Sequence, residues 1–78
     1  MFARRAEFEN RVASLSDQER AVLDAIVDGK PNKVIATELD VSLRTVEARR
    51  HNVFEKMRSN SVADLVRLVV EAEMTSHV

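Results

Sequence analysis

Apolar residues recur every three or four positions along most of this 78-residue chain, and short polar segments interrupt them. That period belongs to amphipathic helices, whereas the side chains of strands alternate. Residues 2–12 are rich in Ala, Glu and Arg and lack Gly and Pro, so propensity favours a leading helix. Phe8, Val12 and Leu15 give it a thin apolar stripe, with Phe2 and Ala6 on a neighbouring one. Ser16 with Glu19 three residues on is a capping-box signature. It starts a helix from about Asp17 to Asp28, with Val22, Leu23, Ile26 and Val27 on one face and Leu15 available as a staple against Ala21 or Val22. Gly29 ends that helix, and Lys30-Pro31 confirm the break. Asn32 is expected to cap a third helix carrying Val34, Ile35, Ala36 and Leu39. The small Ala36 suits a close crossing with the next helix, which a bulky residue would overpack. Asp40-Val41-Ser42 read as a turn. Asp40 takes a left-handed position more cheaply than most residues but less cheaply than Gly, Val41 plugs the core, and Ser42 caps a fourth helix, Leu43 to Met57. After the loop Ser59-Asn60-Ser61, Ser61 or Asn60 caps a last helix from Val62 to about Glu73. Its expected buried stripe is Val62, Leu65, Val66 and Val69, and the chain frays from Met74 on.

The fourth helix has two unlike faces. At 100° per residue, positions 46, 50, 53 and 57 fall within roughly 60° of one another, and 44, 47, 48, 51 and 55 fill the opposite arc. Val46, Val53 and Met57 make the first face apolar, while Arg44, Glu47, Ala48, His51 and Glu55 make the second polar or small. Arg50 lies on the inward stripe by angle. Its stem must therefore run along apolar surface, with its head emerging to meet a phosphate or an acidic side chain. A short helix, a turn of about three residues and a second helix with a polar outward face form the pattern of a helix-turn-helix, whose second helix enters the DNA major groove.

Charge sharpens this picture. The net charge is −1, which by itself argues against a generic nucleic-acid binder. The distribution is uneven: residues 1–29 carry four Arg against six acids, residues 30–58 seven Lys or Arg against four acids, and residues 59–78 one Arg against three acids. The positive third is the helix-turn-helix, so acidic flanks limit non-specific adhesion while one face holds phosphate. With no cysteine, one Gly, one Pro and 4% aromatics, the chain is a small all-α domain without disulfides or a thiolate metal site. No apolar run spans a bilayer and no signal segment opens the chain, so a cytoplasmic location without membrane contact is expected.

The segments Leu15-Ser16-Asp17-Gln18-Glu19-Arg20-Ala21-Val22-Leu23, Gly29-Lys30-Pro31-Asn32-Lys33-Val34-Ile35-Ala36 and Val41-Ser42-Leu43-Arg44-Thr45-Val46-Glu47-Ala48-Arg49-Arg50 together resemble the C-terminal DNA-binding domain of LuxR-type bacterial regulators, especially the NarL/FixJ branch of response regulators. The resemblance covers about residues 15–72. It implies a four-helix LuxR-type helix-turn-helix domain at 15–74, here with an additional N-terminal linker helix at 1–14 and a frayed tail at 75–78. It also implies dimeric binding to double-stranded DNA through the last helix, and an upstream phosphorylatable receiver domain in the full-length chain. RNA polymerase is a further partner under this reading. The family usually has Gly where this chain has Asp40, and His where it has Arg49.

Matched position by position, Lys33, Ser42, Arg44, Thr45 and Arg49 resemble phosphate ligands, which give affinity without sequence. Glu47, Ala48 and His51 are the expected base readers, with Arg50 and Asn52 at the edges. Glu accepts from cytosine N4, Ala offers a methyl surface to thymine, and His donates to guanine N7 or O6 or accepts from an amino group. The plainer alternatives are that Glu47 pairs with Arg44, Arg50 or His51 on the helix surface and that His51 is idle in solvent. Ala63, Val70 and Met74 form a second apolar strip on the last helix, flanking Arg67, and together they are the expected dimer interface.

Two rival readings share parts of this pattern. The promoter-reading region of a sigma factor has the same Thr-Val-x-x-Arg start to its recognition helix, and a helical protein-interaction module would explain the amphipathic helices without DNA. No enzyme is expected and no cofactor or metal is called for, because His51 and His77 have neither metal spacing nor a nucleophile-base-orienter trio and no Gly-rich phosphate loop is present.

Overall fold

The computed structural model describes residues 2–76, with side chains from 6 to 74. Five helices follow one another: α1 (Phe2–Ala13), α2 (Asp17–Val27), α3 (Asn32–Leu39), α4 (Leu43–Met57) and α5 (Val62–Ser76). Among the described residues there is no strand, as the apolar period requires. The sealed core is Val22, Leu23, Ala25 and Ile26 of α2, Ile35 of α3, Val46, Val53 and Met57 of α4, and Leu65 of α5. The central helix is α4, against which α1, α2 and α3 all pack, while α5 closes the other side against α1 and α2.

Local chemistry sets most of the boundaries. The Ser16 hydroxyl accepts from the Glu19 N–H at 3.1 Å and the Glu19 carboxylate accepts from the Ser16 N–H at 2.9 Å, completing the capping box. Ser42 Oγ accepts from the Thr45 N–H at 3.1 Å at the start of α4, and Ser61, rather than Asn60, accepts from the Asp64 N–H at the start of α5. Three helices end in the same way. Gly29, Asp40 and Arg58 adopt left-handed backbones, with φ of 80°, 56° and 55°. In each case the next residue's N–H reaches back to a carbonyl five residues earlier: Lys30 to Ala25, Val41 to Ala36, Ser59 to Phe54. This is the Schellman arrangement, which satisfies carbonyls that the helix leaves open. The sequence signals Gly29 and Asp40 as left-handed. Arg58 carries no such signal and is set by the geometry of the α4–α5 connection.

Several boundaries depart from expectation. α2 ends at Val27, with Asp28 as its cap, one residue early. Asn32 does not cap α3: Pro31 holds the cap position at φ −73° and ψ 159° without a side-chain bond, and its carbonyl accepts from Val34 and Ile35. Proline lacks an N–H and pre-sets φ, so the helix starts directly after it and the Asn32 amide is released for another partner. Ile35 is the fully sealed side chain of α3, while Ala36 sits half-buried at the core margin. In α5 the buried position is Leu65, with Val69 packed against the core. Val62, expected inside, is 40% exposed. α5 also continues through Ser76, past the end expected near Glu73, because nothing from 62 to 76 is Gly or Pro to stop it.

α1 is docked on the body. Phe8 and Val12 pack against the core, and Arg11 Nη1 donates to the Met57 carbonyl at 3.2 Å, tying the leading helix to the end of α4. The apolar role expected for Phe2 falls outside the described side chains, and His77 and Val78 lie outside the described residues.

Candidate nucleic-acid interface

The site is built on α4, whose apolar seam is fully sealed at Val46, Val53 and Met57. Burying that seam turns the opposite arc outward, and Arg44, Glu47, Ala48, His51 and Glu55 are all exposed. On α3, Lys33 stands exposed in the first turn. Among the described residues, no hydrogen bond or ion pair engages the side chains of Lys33, Arg44 or Glu47. Glu47 therefore does not pair with Arg44, Arg50 or His51 here. His51 instead approaches the outward-facing Glu55, Nε2 to Oε1 at 3.6 Å, with both side chains largely exposed.

The α4 N-terminus is ordered by two hydroxyls. Ser42 Oγ and Thr45 Oγ1 lie 2.9 Å apart, and Ser42 also receives the Thr45 N–H. The remaining open N–H groups of the first turn, at the positive end of the helix dipole, suit an anion. Arg49, farther along α4, is half-buried.

Among the described residues Arg50 meets no carboxylate. Its guanidinium lies over the Phe54 ring, 5.4 Å from the centroid, and Nη1 donates to Asn32 Oδ1 at 3.3 Å. The cation therefore rests between α3 and α4, on the amide that Pro31 released from capping.

A second polar contact fixes α4 to α2. Lys56 Nζ donates to Glu19 Oε1 at 2.8 Å and to the Ser14 carbonyl at 3.3 Å. Glu19 is buried, and the Lys56 hydrogen bond, aided by the Ser16 N–H, holds its carboxyl below the usual carboxylate range. The sequence signals Glu19 only as a capping residue. Its second partner lies 37 positions away, and no local pattern announces it. Lys30 similarly bridges to Glu38 at 2.7 Å, and that carboxylate raises the ammonium above its ordinary value. Both lysines add to the local positive count, yet both are committed within the fold.

The strip expected to form an interface on α5 is outward. Val70 is 44% and Met74 67% exposed, and Ala63 and Arg67 are exposed as well. Arg67 pairs with Asp64 and with Glu71, so its charge is balanced inside the strip. The Arg67 and Ser59 hydrogen bonds lower the Asp64 carboxyl. No helix of the described residues is long and apolar enough to cross a membrane.

Comparison with known proteins agrees with this architecture. Residues 13–69 match the family described as bacterial regulatory proteins, luxR family. The transcriptional regulatory protein FixJ of Bradyrhizobium diazoefficiens is 52% identical over 64 residues, 82% of this chain and 31% of the relative. The response regulator protein TmoT of Ectopseudomonas mendocina is 44% identical over 63 residues, 81% of this chain and 28% of the relative. Among solved structures, full-length FixJ from B. japonicum superposes with a TM-score of 0.85 at 47% identity, covering 92% of this chain and 36% of that one. The chain thus spans about a third of the length of the relatives it matches. The match is to a family of regulators rather than enzymes, and it separates the chain from the sigma-factor reading. With most of its length matched and its five helices laid out like those of FixJ, the chain belongs to the LuxR family of bacterial regulatory proteins.

Proposed function

We propose that this chain is the output domain of a two-component response regulator and reads double-stranded DNA by laying the outward arc of α4 in the major groove. One observation carries the reading. α4 has a sealed apolar back and an exposed polar front whose Arg44 and Glu47 have no partner among the described residues. An exposed face of spare charges and donors is what phosphates and base edges engage.

Lys33, Arg44, Thr45, Arg49 and the α4 N-terminus at Ser42 hold phosphate, and Glu47, Ala48 and His51 read bases. Arg50, the remaining candidate base reader, is assigned a different role in this reading, which its contacts to Asn32 and Phe54 support. Residues 15–74 are the DNA-binding unit and residues 1–14 the linker from an upstream receiver domain, in keeping with the response regulators among the relatives. The chain works in the cytoplasm and pairs as a homodimer through Ala63, Arg67, Val70 and Met74 of α5, which presents apolar surface that the fold leaves open. RNA polymerase is the partner through which the bound dimer acts.

Titrating salt against binding of a random duplex tests the interface. Lys33→Ala and Arg44→Ala each weaken binding on all sequences and reduce the salt slope by about 0.9. Unchanged slopes refute the phosphate roles, and a wild-type chain that ignores duplex DNA at low salt leaves only the protein-interaction reading. Val70→Glu removes cooperative binding to two half-sites with the monomer still folded, and retained cooperativity refutes the pairing surface.

A further inference from the structure

We propose that Arg50 is a positioning residue: by bridging Asn32 and Phe54 it locks the register of α3 against α4, and so couples phosphate anchoring to base reading. This rests on the DNA-binding role proposed above. Asn32 is the first residue of α3 and immediately precedes Lys33. Arg50 lies one turn beyond Glu47 and next to His51. The Arg50-to-Asn32 hydrogen bond at 3.3 Å therefore joins the turn that carries a phosphate ligand to the stretch that carries the base readers.

The geometry suits a brace better than a contact to DNA. Arg50 is half-buried, and the ring of Phe54, itself packed against the core, lies 5.4 Å from its guanidinium carbon. A guanidinium stacked in this way keeps its charge while its planar fork is oriented by the ring. Asn32 contributes a neutral acceptor, so the bond directs the guanidinium without cancelling it. Ile35 of α3 and Val46 of α4 are both fully sealed in the shared apolar core. Apolar packing holds helices together, but it fixes axial register less sharply than a directional hydrogen bond does.

A brace, a phosphate ligand and a base reader fail differently. Loss of a phosphate ligand lowers the salt slope by about one. Loss of a base reader relaxes preference at a single base pair. Loss of a brace leaves the slope intact and relaxes several read positions together, since Glu47, Ala48 and His51 shift as a unit.

The experiment uses the full chain, a cognate duplex selected by the wild type from a random library, and the variants Arg50→Ala, Asn32→Ala and their double. Each single variant is expected to reduce the ratio of cognate to random affinity about tenfold, with an unchanged slope and no further loss in the double. A slope lower by one in Arg50→Ala, relaxation confined to one base pair, or additive losses in the double overturns the proposal. Hydrogen exchange of the free protein tests it without DNA. In Arg50→Ala, the amides in the first half of α3 exchange faster while those of α2 do not change; unchanged exchange in α3 overturns the brace. A wild-type chain that binds no duplex sinks the DNA-binding reading, and the exchange result then still decides whether Arg50 braces α3.

Discussion

α4 and α5 are both fifteen residues long, and each gives its inner face to the same core, yet what they leave outside differs. The outward arc of α4 is Arg44, Glu47, Ala48, His51 and Glu55, whereas that of α5 includes Val62, Ala63, Val70 and Met74. A polar arc is at ease in water and costs little to expose, so its spare charges are free to engage an anion. An apolar strip leaves uncovered surface that a second protein surface would remove from water. Two helices of one length, sharing one core, are therefore suited to two kinds of partner, and the faces they do not bury set that difference.

The sharpest way to break the comparison is to exchange inside for outside on α5. Leu65→Ala empties a fully sealed site and is expected to cost about 2–5 kcal/mol of stability, whereas Val70→Ala on the open strip stays within about 0.5 kcal/mol. Equal losses in chemical denaturation would mean that the strip is part of the fold.

On α4 the matching contrast is between spare and committed charge. Glu47→Ala and His51→Ala are expected to relax preference at single base pairs by about 1–3 kcal/mol in binding-site selection, with no change in thermal stability. Glu19→Ala removes both the capping carboxylate and the anchor of Lys56, and is expected to destabilise the fold by about 1–2 kcal/mol.

That anchor also has a pH signature. The carboxyl of Glu19 is held below its ordinary value chiefly by Lys56. Its stabilisation is complete above the ordinary carboxylate range and fades as pH falls through its lowered folded value. Wild-type melting temperature should therefore drop on strong acidification, and Glu19→Ala should flatten that drop.

The smallest effect concerns helix ends. Arg58 holds a left-handed backbone with φ of 55°, a conformation that costs a non-glycine residue about 1–2 kcal/mol and that Gly adopts freely. After the entropy cost of Gly, Arg58→Gly is expected to stabilise the fold by about 0.5–1 kcal/mol. The same change at Asp40 gains less, because Asp tolerates this region better.

Much of this molecule is local, and what is local was legible. The capping box at Ser16 and Glu19, the cap at Ser42, the stop at Gly29 and the left-handed turn at Asp40 each depend on residues within a few positions of one another. So does the outward arc of α4, since a helix of known phase with one sealed stripe has only one other side. The chain alone thus determined an all-α fold, a helix-turn-helix and a polar face on its second helix. Tertiary structure decided where particular side chains ended up. Pro31 took the cap from Asn32, and the freed amide met Arg50, 18 positions away. Lys56 found Glu19, 37 positions away, and with Lys30 on Glu38 three of the cations in the positive third are engaged within the fold. Val62 fell outside because α5 docks on α1 and α2 through Leu65 and Val69. Periodicity reports which residues share a face of one helix. Which of two apolar faces is covered, and which partner a long polar side chain takes, depends on how the helices pack, and that is a property of the whole chain.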